Sequence, residues 1–356
     1  VLADLKACIP NIPAKGKAAK GRLTQEGAYA IMGRLALFTK HYDDAIEAYN
    51  HVIGKYSLFK SGDGTDGYKN YSELFTEANE ECDEVILGIH YAGPGLNEGQ
   101  TFGYSWGGPM NAIEATRNLC DDYYCTDGLP IDKSPLFKGK TGEAAYDSEH
   151  PDFARYENRD PRLKGTLFVP GMTWNGDTYD YDATTNSTGK KVPSHSQVAI
   201  MKWYVPENIA NEYDGSLDYY VIRYAEVLLS LSEAMIEKGG YSQDQITKYI
   251  DEVRQRVNMP KVEDVEGTGL SQEQLRQIVR HERRVELAFE DLRFADLYRW
   301  SEWKNAVERM NKEFETYGAG DYERSYRGAQ DEVWPIPQNE IDTDKNLKQH
   351  KEWGGE

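Results

Sequence analysis

The sequence has no uninterrupted apolar run of about 18 residues, the length a membrane-spanning helix needs, and no stretch ordered like a secretory leader. Leu5-Lys6-Ala7-Cys8 has the outline of a lipoprotein cleavage box, but no apolar segment precedes it and Lys6 is the wrong residue. Cysteine is scarce: Cys8, Cys82, Cys120 and Cys125 are the four, at spacings that fit no zinc pattern. Cys120 and Cys125 are open to two readings, a bridge in an oxidising compartment or two buried free thiols. Basic residues are also in deficit, 41 against 60 acidic, for a net charge of −19. That balance excludes nucleic acid, whose affinity rests on cations against phosphate, and argues against an anionic membrane surface. Neutral ligands such as sugars remain compatible, and so do peptides.

Marks of catalysis are missing as well. His281-Glu282 has no second histidine at helical spacing, so it is no zinc motif. No serine sits in a Gly-x-Ser-x-Gly elbow, and Gly99–Gly103 has no basic residue and opens no phosphate loop. A carboxylate pair for glycoside hydrolysis is not marked by any motif among 60 acidic residues. The acidic turn Ser61–Gly67 lacks the closing glutamate of a calcium loop. The expectation is therefore a binding protein and not an enzyme, without cofactor or metal.

What is present is mainly helical. Residues 24–56 form one hairpin: Ala28, Ile31, Met32 and Leu35 share a face of the first helix, and Ala45, Ile46, Tyr49, Val52 and Ile53 a face of the second. The order Tyr42, Ala45, Tyr49 matches the second helix of a tetratricopeptide repeat, where a small residue admits the neighbour and an aromatic fills the groove. An ordinary helical hairpin fits the same residues. Residues 219–260 give a second hairpin. Its first helix, Val221–Ile236, is apolar nearly all round, and the next is opened by a Ser242/Gln245 capping box. Ser271 and Gln274 cap a third pair over residues 271–317, whose second helix is expected to run on through Trp303, Val307 and Met310. Ahead of these, Val1, Leu2, Leu5 and Ile9 read as the tail of an amphipathic helix, so the chain is expected to begin inside a fold. Glu84–Tyr91 is the best strand of the first half, Ala112–Tyr124 a short helix, and Trp334–Ile341, with two prolines, an extended packed tail.

Between the hairpins, residues 93–211 are rich in loops. Tyr156–Leu163 reads as a turn held by Arg and Asp side chains, followed by extended pieces at Gly165–Val169 and Val198–Trp203. Two stretches set aromatics among glycine and polar residues: Phe102, Tyr104 and Trp106 in the first, and Trp174, Asn175, Asp177, Tyr179 and Tyr181 in the second. Rings offer flat area to the C–H face of a sugar, while amides and carboxylates accept hydroxyl protons. Tyr104, Trp106, Trp174, Asn175, Asp177, Tyr179 and Tyr181 are the candidate ligand contacts. Anchoring of the loops to the body is the competing role for the same rings. Asp177, Asp180 and Asp182 are not read as a calcium site.

Arg276–Trp300 is the most charged helical segment. Leu275, Ile278, Val279, Val285, Phe289 and Leu292 recur near the helical period, and Glu282 stands where that stripe should be apolar. A carboxylate placed there needs a partner. The regular alternation of Arg and Glu favours a structural network, with Glu282, Glu286, Arg293 and Asp296 as internal ion pairs.

Several motifs, in order, give the chain a family resemblance. They are Gly21-Arg-Leu-Thr, Asp127-Gly-Leu-Pro-Ile, Asn158-Arg-Asp-Pro-Arg, Arg223-Tyr-Ala-Glu-Val-Leu-Leu with Glu233-Ala234, Glu282-Arg-Arg-Val-Glu-Leu with Glu290, Arg293, Asp296-Leu297 and Arg299-Trp300, and Trp334-Pro-Ile-Pro-Gln-Asn-Glu with Asn346-Leu347. Together they resemble the SusD/RagB family of outer-membrane nutrient-binding lipoproteins of Bacteroidetes. The resemblance implies a mainly α fold, a scaffold of tetratricopeptide-like hairpins with a loop-rich, ligand-facing half packed on it. Residues 1–356 would then be one such domain lacking its N-terminal part, about the C-terminal two-thirds. It implies binding of an oligosaccharide, or in a minority branch a peptide, and delivery to a SusC-like TonB-dependent transporter. It also implies a cell-surface location, with a lipid anchor on an N-terminal cysteine absent from this chain. A helical-repeat adaptor that binds only protein is the alternative from another class.

Overall fold

The computed structural model describes residues 1–96, 98–101, 115–141, 152–174, 177–178, 184–185, 191–192, 198–203, 213–316 and 323–355. Val1–Glu290 and Asp291–Glu356 form two compact units.

In the first unit, α1 (Leu2–Cys8) leads to Ile9, which is fully buried with Ala28, Met32 and Ala48, while Leu2 and Leu5 pack against the same cluster. Val1 lies outside this face and is 81% exposed. The hairpin follows as α2 (Gln25–Phe38) and α3 (Tyr42–Asn50). Thr24 caps α2 by accepting from Gly27 N at 3.0 Å. The close approach comes from Gly33 as much as from the alanines: a β-carbon there would collide with the Tyr49 ring.

The largest departure from the sequence reading lies at Tyr219–Arg223. These residues are a strand, β4, antiparallel to β1 (Val85–Ile89), with Gly88 opposite Tyr220 and Ile89 opposite Tyr219. Two tyrosines followed by Val and Ile favour a pleated, half-buried surface, so the expected helix loses its first turn. Helix α6 (Tyr224–Lys238) starts only where Tyr224 N donates to Glu84 O at 2.9 Å. From there it is buried on nearly every side, packed by α3, by α7 (Gln243–Arg256) and by α8 (Gln272–Glu286). Both α7 and α8 open on complete capping boxes, Ser242/Gln245 and Ser271/Gln274.

The irregular half of this unit is hung on short pieces: β2 (Leu167–Phe168) pairs with β3 (Ala199–Ile200), and α4 (Arg117–Asp122) and α5 (Arg162–Thr166) pack near α8. Helix α4 begins at Arg117, after an extended Thr116, so the described helix is shorter than Ala112–Tyr124. Gly165 and Thr166 belong to the α5 turn and not to the strand, because Asp160 organises the turn start by accepting from Arg162 N at 2.9 Å. Cys120 and Cys125 are buried free thiols, and burial pushes the Cys120 thiol up to about 11.

The second unit contains α9 (Arg293–Arg299), α10 (Trp303–Thr316) and α11 (Gln338–Thr343). The expected continuous helix through Trp303 is interrupted. Ser301 takes φ +59°, Glu302 N reaches Leu297 O at 2.8 Å and Ser301 N reaches Tyr298 O at 3.0 Å. That pair of bonds is a Schellman stop. The same stop ends α2 at Lys40 and α7 at Asn258, both at positive φ without glycine. The tail also departs from an extended packed segment. Pro337 is the N-cap of helix α11, which follows it at once, and Trp334 is 85% exposed. Ile336 is the tied residue, its N and O bonded to the Gln349 side chain at 3.0 and 2.8 Å.

Candidate functional site

Two groups of charged side chains in the first unit organise everything around the loop-rich half. One surrounds the end of α8. Glu286 is fully buried and bonded to Arg162 at 3.0 Å, to Arg223 at 2.6 Å and to Arg256. Glu282, one turn earlier, pairs with Arg162 at 2.6 Å and Arg254 at 2.8 Å. Glu290 holds Arg223 at 2.6 Å and the buried Lys202, and Glu84 holds Arg223 at 2.7 Å and Arg256 at 3.2 Å. Asp160 completes the set on Arg162 at 2.7 Å. The cations Arg162, Arg223, Arg254, Arg256 and Lys202 balance the anions Asp160, Glu84, Glu282, Glu286 and Glu290, so the cluster carries no net charge into the core.

The open carbonyls at the end of α8 are closed by the same neighbours. Tyr123 donates to Val285 O at 3.1 Å, Tyr71 and Arg223 to Glu286 O at 2.9 and 2.8 Å, and Lys202 to Ala288 O at 2.9 Å. Burial pushes the Glu282 carboxyl up, but Arg162 and Arg254 outweigh it and hold it down at about 2. Burial likewise opposes ionisation of Glu286, and Arg256, Arg223 and Arg162 hold it well below the usual range. Lys202 goes the other way: burial brings it down to about 8 against the pull of Glu290.

The second group fastens the stem of the glycine-rich loop. The segment 213–218, which leads into β4, carries four fastening residues. Asp214 accepts from Gly95 N at 2.6 Å and Gly99 N at 2.9 Å. Ser216 donates to Glu77. Asp218 accepts from Tyr91 N at 3.0 Å and meets His90 Nδ1, while its own N–H donates to Glu80 at 2.7 Å. Gln100 and Gly215 exchange both backbone bonds at 2.9 Å. Burial pushes the Glu80 carboxyl up to about 7; the Asp218 N–H opposes this, and the Asp218 and Glu77 carboxylates add to it.

The sequence-predicted residues divide between these places. Glu282 and Glu286 meet in the α8 network through their common partner Arg162. In the second unit, Asp296 pairs with Arg299 at 2.8 Å, and Arg293 lies over the Trp300 ring at 5.9 Å. Of the ligand-contact candidates, Tyr104, Trp106, Asn175, Tyr179 and Tyr181 lie outside the described residues. The backbones of Trp174 and Asp177 face each other in a tight antiparallel pair, Thr173–Trp174 with Asp177–Thr178. Sequence reasoning did not single out Glu84, Lys202, Asp214 or Asp218 as site residues. Among the described residues, no helix is long and apolar enough to cross a membrane.

Comparison with known proteins places this geometry. The curated SusD-like protein P2 of Formosa agariphila is 27% identical over 199 residues, which span 54% of this chain and 37% of that protein. A SusD-like protein of Bacteroides fragilis NCTC 9343 matches with a TM-score of 0.73 at 25% identity, over 98% of this chain and 69% of that one. A SusD-like carbohydrate-binding protein of the same organism matches with a TM-score of 0.72 at 25% identity, over 98% of this chain and 70% of that one. The sequence model of the SusD family matches residues 57–353, and the chain belongs to that family.

Proposed function

We propose that the protein binds oligosaccharide nutrients at the cell surface, without catalysis, and delivers them to a SusC-like TonB-dependent outer-membrane transporter as a surface lipoprotein. The observation that carries this reading is the fold-wide likeness to a solved SusD-like carbohydrate-binding protein, over 98% of the chain. The net charge of −19 is compatible with a neutral polyol. In this reading the helices within residues 24–56, 219–260 and 271–317 are scaffold, and residues 93–211 face the ligand. The α8 network fits the scaffold role: its cations are consumed by buried carboxylates and offer nothing to a ligand.

Titration calorimetry against laminarihexaose, cellohexaose, maltohexaose and xylohexaose tests the ligand class. Binding of at least one is expected, and Trp106→Ala and Trp174→Ala should each weaken it by about tenfold. Binding of peptides and of no glycan would sink the sugar reading. Co-purification with a TonB-dependent outer-membrane protein tests the partner.

A further inference from the structure

The stem of the glycine-rich loop has a feature that holding the chain together does not require. Large apolar side chains are exposed on both fastened segments: Leu96 is 67% exposed beside Gly95, and Tyr213 is 61% exposed beside Asp214. The two hydrogen bonds of Asp214 join the residues next to them, at 2.6 Å to Gly95 N and 2.9 Å to Gly99 N. The contact is also built for closeness. A β-carbon on Gly93 or on Gly99 would collide with the Asp214 backbone, so only glycine lets the two segments meet. The Gln100–Gly215 backbone pair and the Asp214 carboxylate together fix the stem. An exposed aromatic on a mobile loop must be ordered when it binds; one on a fastened stem has met that cost already.

The chemistry around this surface selects the occupant. Residues 85–101 and 213–222 contain no lysine or arginine, and Glu98 is exposed beside the stem. Lys20, whose charge reaches Asp218, is paired with Glu81. A phosphate, sulfate or uronate would meet like charge on these segments. A neutral saccharide avoids that repulsion: it offers a C–H face to exposed apolar side chains such as Tyr213 and Leu96, and hydroxyl donors to a carboxylate such as Glu98.

We propose that Leu96 and Tyr213 form a subsite for a neutral saccharide, and that Asp214 is its positioning residue. This rests on the sugar-binding reading above. The test uses the same four hexasaccharides with Tyr213→Ala, Asp214→Ala and Asp214→Asn in the full chain, alongside thermal melts and amide exchange. For the sugar that wild type binds, Tyr213→Ala should weaken binding by about tenfold with an unchanged melting midpoint, and Asp214→Ala should weaken it by about tenfold per folded molecule. Asp214→Asn, which keeps one acceptor oxygen, should recover part of the loss. Gly95 and Gly99 amides should exchange faster in Asp214→Ala, which a purely contacting residue would not cause. Wild-type affinity in both alanine variants overturns the subsite and leaves the sugar reading standing. Failure of wild type to bind any of the four sugars overturns both.

Discussion

The α8 network and the loop stem are both built around carboxylates and have opposite electrostatics. Around Glu286, the carboxylates meet guanidinium groups, and at Glu282, Glu286 and Glu290 the cations outweigh burial. Glu80, beside Asp218, is only half-buried, yet the carboxylates of Asp218 and Glu77 add to its burial, and its carboxyl rises to about 7. The difference shows that burial alone does not set a carboxyl's state; the count of cations within reach does. The first group is a fixed lock. In the second, the Glu80 carboxyl can gain or lose a proton near neutral pH, and it accepts from the segment that fastens the candidate ligand surface.

The comparison breaks most visibly by removing the centre of the lock. Glu286→Ala leaves Arg162, Arg223 and Arg256 short of one buried counter-charge. The expected loss is about 3–5 kcal/mol of stability, read by urea unfolding; a loss under about 1 kcal/mol would show that the arginines re-pair among Glu84, Glu282 and Glu290. Acid probes the same lock more gently. The Glu282 carboxyl is held at about 2 against an ordinary 4.5, so its folded value is depressed. Its contribution is present above pH 4.5 and fades as pH falls through about 2. Glu282→Gln should flatten the stability profile in that window, and should leave sugar affinity per folded molecule unchanged. An equally steep acid limb in the variant would assign the limb to other groups.

How much of this was legible depended on distance along the chain. The capping boxes at Ser242 and Ser271 are local patterns, and both helices begin where those residues stand. Glu282 was legible because a carboxylate in an apolar stripe is a local anomaly. Its partner Arg162 lies 120 residues away, and the partners Arg223 and Glu84 are separated by 139, so no local pattern could join them. Arg223 was further hidden by apolar neighbours that read as helix, although Tyr219–Arg223 pairs with β1. The helix stops at Lys40, Asn258 and Ser301 were hard to place because they use positive φ without glycine. The aromatic loops were singled out as ligand candidates by composition alone, and most of their rings lie outside the described residues. Asp214 was not singled out, because an aspartate before a glycine looks like any turn; only the fold shows which amides it holds.

The smallest expected effect separates burial from charge at Glu80. Its folded value of about 7 lies above an ordinary 4.5, so its contribution to stability is full below pH 4.5 and is lost as pH rises through about 7. Glu80→Gln should remove that slope from the melting midpoint, with little change at about pH 4. Asp218→Asn sharpens the cause. It takes away the facing carboxylate but keeps the backbone N–H of that position, which donates to Glu80 in the native chain. Because burial is the leading cause, the Glu80 carboxyl should fall only part of the way and stay above the ordinary range, as followed by carbon NMR of the labelled carboxyl. A return to the ordinary 4.5 would mean that repulsion from Asp218 does the lifting. The loop stem would then differ from the α8 lock by an added anion, and not by the cations it lacks.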